Sequence, residues 1–156
     1  MLDKLKSLLG NSPGGHVPPP PEEPVAWAAI LLEVAESDNE FAPPERERIM
    51  TLLAERFALS RPEVETLFLT AREARAASTD LWPFTHALAR AYGPEEKQRL
   101  LAGVWQVIFA DGRLDPYEEQ FTRRLQAMLS VNHSVLMAAK QEAREATLQA
   151  ITPDPK

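Results

Sequence analysis

The spacing of apolar residues is the feature that most constrains the fold of this chain. From residue 24 onward they recur every three or four positions, as Trp27, Ile30 and Val34 do, and this spacing places them on one face of an α-helix. Proline and acidic residues stand where such segments begin, as is typical of helix starts. No segment combines the period of two of a β-strand with turn residues at both ends. The pattern therefore predicts an all-α fold.

Helix start and stop signals predict about seven helices in a single compact domain, which is the ordinary size for 156 residues. Ser60 and Glu63 have the spacing of a capping box at the start of the third helix. Gly93 and Gly112 follow two of the helices, where glycine commonly ends a helix. The other six predicted helices cover residues 24–37, 43–59, 80–92, 94–111, 116–131 and 133–150.

Two corners between helices are similar in sequence. The first corner, DNEFAPPE (38–45), aligns with the second corner, DGRLDPYE (111–118), at a shift of 73 residues that pairs Glu45 with Glu118. Further along the chain the shift between the two copies is 72, so the alignment slips by one residue between the two regions. A one-residue slip inside a helix would rotate its apolar face by about 100°, so we expect the slip to lie in a turn. The repeat predicts two related three-helix units with a connecting helix near residues 80–92.

The first 23 residues differ in composition from the rest of the chain. Residues 10–24 hold six of the 14 prolines, and the run 18–21 favours an extended polyproline II spacer over a core helix. We therefore expect residues 1–23 to form a short amphipathic segment followed by a Pro/Gly-rich linker. Residues 24–152 should form the helical domain.

The amphipathic segment leaves two interpretations open. Leu2, Leu5 and Leu9 fall on one side of a short helix, with lysines among the polar positions. The segment is either a frayed end or a docking helix for a membrane surface or a protein partner. It lacks the apolar run of a signal peptide, and no segment approaches 18 consecutive apolar residues. We expect a cytoplasmic protein without a transmembrane segment, peripheral to a membrane if the segment docks there.

Composition and motifs exclude several classes of function. The net charge of −6 argues against nonspecific nucleic-acid binding, and the absence of cysteine excludes disulfides and thiolate metal sites. The three histidines are scattered, and no glycine pattern or nucleophile motif is present. The sequence therefore predicts that the protein is not an enzyme. Trp27, Trp82 and Trp105 are expected in the core, with His86 in the core or at its boundary.

The second corner is rich in acidic residues. Residues 109–120, FADGRLDPYEEQ, have four carboxylates within nine residues, and such oxygen atoms are the ligands that Ca²⁺ prefers. The EF-hand pattern fails, however, because Pro116 stands where that loop needs glycine and Thr122 where it needs glutamate. One interpretation is thus a weak, calcium-like site without a full cage of ligands, and we expect no other cofactor.

Helix capping explains the same residues without a metal. Gly112 would end one helix, Asp115 would cap the next, and Glu118 would complete a capping box. The two interpretations are compatible, because a capping carboxylate keeps free lone pairs for a surface ion.

An all-helical chain with FADGRLDPYEE, preceded by the degenerate copy AESDNEFAPPE, resembles the TerB-like (tellurite resistance protein B) family over about residues 24–145. The resemblance implies a compact, non-enzymatic helical domain that acts in tellurite and general stress resistance, often alongside membrane proteins. It also implies divalent-cation binding at the repeat corners. The candidate ligands are Asp111, Asp115, Glu118 and the adjacent Glu119 in the second corner, and Asp38 and Glu45 in the first. Ala42 replaces the counterpart of Asp115, which weakens the first corner as a site.

Two functions from different classes follow. The first is a cation-responsive module whose acidic corners bind a divalent ion. The alternative is a structural interaction domain that docks on a membrane-associated partner without metal. Saturable cation binding that is lost with the corner acids would distinguish the first from the second.

Overall fold

A computed structural model of the chain describes residues 21–36, 43–110 and 116–151. These ranges contain seven α-helices and no β-strand, which confirms the all-α prediction. The helices are α1 (Glu23–Glu36), α2 (Pro43–Phe57), α3 (Arg61–Ala77), α4 (Trp82–Ala91), α5 (Pro94–Phe109), α6 (Pro116–Leu129) and α7 (His133–Ile151). The expected linker and amphipathic segment, up to residue 20, and Gly112 lie outside the described residues.

The core is built around α1 and α5, whose inner stretches are almost fully buried. Helix α1 packs against α2, α3 and α5, and α5 packs in turn against α6 and α7. Helix α4 joins the two halves and contacts α1 and α6. The chain therefore consists of a first unit (α1–α3), a connecting helix and a second unit (α5–α7), as the repeat predicts.

Burial patterns support the correspondence of the two units. Along α1, every residue from Trp27 to Ala35 is buried except the half-buried Glu33, and Leu100–Ile108 of α5 repeats this pattern 73 residues later. At a shift of 72 residues, three of the four buried positions of α3 recur in α7: Val64, Leu67 and Ala71 correspond to Leu136, Ala139 and Ala143.

The expected place of the one-residue slip is wrong, because it lies inside a helix. The segments between α1 and α2 and between α5 and α6 are equally long, whereas α2 has 15 residues and α6 has 14. The first buried apolar residue of α2 is four positions after Glu45, and that of α6 is three positions after Glu118. Positions three and four apart share a helix face, so both units bury the glutamate and the apolar residue together.

Helices α2 and α6 also end in the same way. Ala58 and Ser130, which correspond at a shift of 72, have φ angles of 53° and 56°. The next residues, Leu59 and Val131, donate their backbone N–H to carbonyls five residues earlier, at 3.0 and 3.2 Å. This is the Schellman arrangement, which normally places glycine at the left-handed position. At the start of α3 the predicted capping box is present: the Ser60 N–H donates to Glu63 Oε1 at 2.9 Å.

A polar cluster joins the two units where α1 approaches the α4–α5 connection. Trp27 donates its Nε1–H to the Tyr92 hydroxyl at 2.7 Å, and that hydroxyl donates to the Glu23 carboxylate. The Arg56 guanidinium lies 3.4 Å from Glu23 and 3.6 Å from Glu96, with its carbon 5.2 Å from the centre of the Trp27 ring. The cluster thus ties the start of α1 to α2, α4 and α5.

Two of the three tryptophans are in the core, as expected, but Trp82 is not. Trp27 and Trp105 are buried, whereas Trp82 keeps 54% of its surface exposed. Its ring stacks on the half-buried His86 at a centroid distance of 4.2 Å. Residues 82 and 86 are one helical turn apart on the outer face of α4, which explains why their periodic spacing looked like a core pattern. None of the described helices has the length and apolarity needed to cross a membrane.

Candidate functional site

Three of the six candidate ligands lie within the residues that the structure describes. Asp38, Asp111 and Asp115 lie outside the described residues. The other three, Glu45, Glu118 and Glu119, lie in the first turns of α2 and α6. The described part of each corner is therefore the start of the helix in which it ends.

Glu45 and Glu118 occupy equivalent and unusual positions. Each is the third residue of a helix that begins at proline, and only 2% and 3% of their surfaces are exposed. Neither residue lacks an interaction partner. Burial of a carboxylate is unfavourable unless it is hydrogen-bonded or paired with a cation. Its occurrence at the same place in both units indicates that each corner is built around an inward-facing acid.

Glu119 is different from its neighbour. Its side chain is partly exposed and lies 3.7 Å from the Arg123 guanidinium one turn later. An exposed pair of this kind contributes little to stability, about 0.3–0.5 kcal/mol. The carboxylate of Glu119 is therefore able to exchange its partner at little cost.

A cleft of about 340 Å³ lies between the start of α2 and the end of α5. One wall comes from the start of α2, where Pro44 lies near the end of the first corner. The opposite wall comes from Phe109 and Ala110, which immediately precede Asp111. The polar side chains that line it are Glu47, Arg48, Thr51 and Thr147. The start of α2 thus lies beside the end of α5.

An aromatic contact connects this cleft to the core. The Phe109 ring stacks on Trp105 at a centroid distance of 5.5 Å, and Lys140 Nζ lies 4.8 Å from the centre of the Trp105 ring. Trp105 is buried, and its Nε1–H has no hydrogen-bond partner in the part of the chain that the structure describes. A change at the second corner would reach this indole through Phe109, which makes Trp105 a natural fluorescence reporter.

Within the described ranges, no three histidine, aspartate or glutamate side chains come together to hold a metal ion. A site at either corner would therefore need Asp38, or Asp111 and Asp115, in addition to the glutamates. Six or more oxygen ligands are usual for Ca²⁺, so backbone carbonyls and water would have to supply the remainder.

The Arg56 cluster is a feature that sequence reasoning missed. Burial, and then the hydrogen bond to the Glu23 carboxylate, raise the pKa of Tyr92. Burial tends to lower the pKa of Arg56, but interactions with Tyr92, Glu23 and Glu96 outweigh it and raise that pKa. The five residues of the cluster come from three separate stretches of the sequence, near positions 25, 56 and 94, and share no motif, so only the fold reveals them.

These features define the class of protein: an all-helical domain of two related three-helix units, with a buried glutamate at the end of each acidic corner. The chain belongs to the TerB family, because the model of the family described as tellurite resistance protein TerB matches residues 24–141. The matched range begins at the start of α1, ends within α7 and includes both corners. Comparisons with curated proteins and with solved structures give no match.

Proposed function

We propose that this chain is a non-enzymatic TerB-family module that binds a divalent cation at its acidic corners and acts in the tellurite or general stress response of the cytoplasm. The observation that carries the proposal is the matched burial of Glu45 and Glu118 behind the two corners. Helix capping alone does not require burial, since the capping glutamate at position 63 is exposed.

The carboxylate ligands favour weak binding of a calcium-like ion. A charge interaction is stronger near a buried carboxylate than in bulk water, because the effective dielectric constant is lower. The second corner adds Asp111, Asp115 and Glu119, but it does not have the ligand set of an EF-hand. We therefore expect a dissociation constant on the order of 10⁻⁴–10⁻³ M, as for cation sites without a tight cage.

A bound ion would act on the packing around the cleft. It would draw the start of α6 toward the end of α5, and Phe109 and Trp105 lie directly behind that end. The proposed response is thus a small movement of one helix pair, which a partner protein can detect.

A calcium titration of the full chain, followed by tryptophan fluorescence and calorimetry, tests the proposal. Saturable binding should disappear in the double variant Asp111→Asn with Asp115→Asn, while the fold is kept because asparagine caps helices about as well as aspartate. The control is Glu65→Gln with Glu73→Gln, which changes the net charge equally on the exposed face of α3. Absence of saturable binding in the wild type, or equal loss in the control, would refute a corner site.

Exposed Trp82 favours a second candidate function, a structural domain that docks on a membrane-associated partner without metal. A large exposed aromatic side chain is common at protein interfaces and at the membrane surface. Partner capture that persists in the presence of a chelator, and that falls in Trp82→Ser, would support this function over cation binding.

A further inference from the structure

A shallow groove of about 440 Å³ lies between the start of α1 and the first turns of α3. Val25, Leu59 and Leu67 contribute its apolar floor, and Glu22 and Glu63 contribute acidic edges. Thr66 and Thr70 form an exposed wall along α3. Among the described residues that line the groove, none is cationic and none is aromatic. The groove therefore suits a short, basic segment with aliphatic side chains.

We propose that residues 2–9 of the same chain occupy this groove. The segment LDKLKSLL offers Leu2, Leu5 and Leu9 on one helical face, and Lys4 and Lys6 among its polar positions. The leucines match the aliphatic floor, and the lysines complement the acidic edges. The proline run 18–21 is a poorer occupant, because polyproline segments are recognised by grooves lined with aromatic rings.

The position of the linker makes this docking geometrically simple. Glu22 and Pro24 line the groove, so the N-terminal tail leaves the domain at the edge of its own binding site. Residues 10–21 span up to about 40 Å when extended, at 3.3–3.6 Å per residue, whereas an eight-residue helix is only about 12 Å long. The glycines at positions 10, 14 and 15 allow the chain to reverse direction.

Tethering removes the need for high affinity. Outside the stiff proline run 18–21, the glycines at positions 10, 14 and 15 make the linker flexible. A short linker with such flexibility gives an effective concentration in the millimolar range, so a segment that binds with a millimolar dissociation constant as a free peptide is substantially docked in the intact chain. Docking would cover the leucine face, and a membrane or partner that uses this face would have to compete with the groove. Docking in the groove would thus limit how often the N-terminal tail is available to a membrane or partner. This effect does not depend on cation binding at the corners.

Paramagnetic NMR on the full chain tests the proposal. The chain has no cysteine, so Asp3→Cys creates a single site for a nitroxide label. We expect the amide signals of Val25, Leu59, Thr66 and Thr70 to be lost selectively to broadening. Leu5→Glu in the labelled chain should restore them by removing an apolar contact. Thr70→Lys should also restore them by placing a cation on the groove wall, whereas Thr79→Lys, exposed but outside the groove, should not.

Three outcomes would overturn the proposal. Broadening spread evenly over the domain would show a tail without a fixed site. Selective broadening that persists in Leu5→Glu would show that the leucine face is not what binds. Absence of broadening, together with binding of the labelled tail to vesicles of anionic phospholipid, would show that a membrane surface is its target instead.

Discussion

Replacement of Tyr92 by phenylalanine removes one oxygen atom from the contact between the two units, and the structure lets the cost be estimated. The Tyr92 hydroxyl is the acceptor for Trp27 Nε1–H at 2.7 Å, and only 3% of Trp27 is exposed. A buried donor left without an acceptor costs about 1–3 kcal/mol. The Glu23 side chain is 45% exposed, so water can replace its lost bond and this term is small. We expect a loss of about 2 kcal/mol in the free energy of unfolding.

Urea unfolding measures this loss directly. The midpoint should fall while the dependence on urea concentration stays the same, because the surface exposed on unfolding does not change. For a domain of this size the melting temperature should fall by roughly 5–10 °C. Tyr117→Phe is the control, since 68% of that residue is exposed, and its loss should stay below about 0.5 kcal/mol. A comparably small loss in Tyr92→Phe would refute the reasoning, because it would show that the indole does not depend on the hydroxyl.

Two further predictions concern helix ends. Ala58→Gly and Ser130→Gly should each stabilise the fold by about 0.5–1 kcal/mol, because glycine adopts a positive φ without strain. Ala138→Gly, at an exposed alanine in the interior of α7, should destabilise the fold by a similar amount. Thermal unfolding of the three variants decides between strain relief and a general effect of glycine. Hydrogen bonds from Ser60, mainly from its backbone N–H and then from its side chain, lower the pKa of Glu63 below its ordinary value of 4.5. Ionised Glu63 therefore stabilises the fold at a pH above 4.5. This contribution disappears as the pH falls through the pKa of Glu63 in the folded state. Glu63→Gln should therefore weaken the dependence of stability on pH below about 4.5, and an unchanged acid limb would contradict the role of this cap.

The helices were predictable because their signals are local. Apolar periodicity fixes the buried face of each helix, and the proline and capping residues lie within a few positions of each start. The seven predicted helices are all present, with ends that differ by one or two residues. The slip between units was misplaced because positions three and four residues apart are equally good neighbours on a helix, so sequence spacing alone does not show where one residue has been lost.

The site was only partly predictable, because its main property is tertiary. The acidic character of the corners can be read from the sequence, and Glu45 and Glu118 were named from it. Their burial could not be predicted, since it depends on which face of α2 and α6 meets α1 and α5. Trp82 illustrates the reverse case. This aromatic residue has core-like spacing but lies on the outside, because the buried residues of α4 are Phe84, Thr85 and Leu88 on another face. The Arg56 cluster joins residues from four separate helix ends, and no sequence motif at any of these ends predicts it.

Divergence between the two units indicates which corner should bind the cation more tightly. After Glu45, the first turns of α2 continue with Arg46, Glu47 and Arg48, so they have no net charge. The Arg46 guanidinium carbon lies 5.5 Å from the centre of the Phe68 ring. At the equivalent place, α6 has Glu119, and the position of Phe68 in α3 is taken by Lys140 in α7, which lies over Trp105 instead.

If the corners bind a cation as proposed, the second corner should therefore attract a divalent ion more strongly than the first. From Glu118 onward the start of α6 has a net charge of −2, whereas the equivalent start of α2 has a net charge of zero, and Asp115 has no acidic counterpart because Ala42 stands there. At 4 Å, one unit charge changes an interaction energy by about 4 kcal/mol near a protein surface, so a single exchanged residue is enough to decide between two weak sites. Asp38→Asn should consequently leave most of the calcium affinity in place, whereas the double variant at Asp111 and Asp115 removes it. Equal losses from the two changes would mean that both corners share one ion.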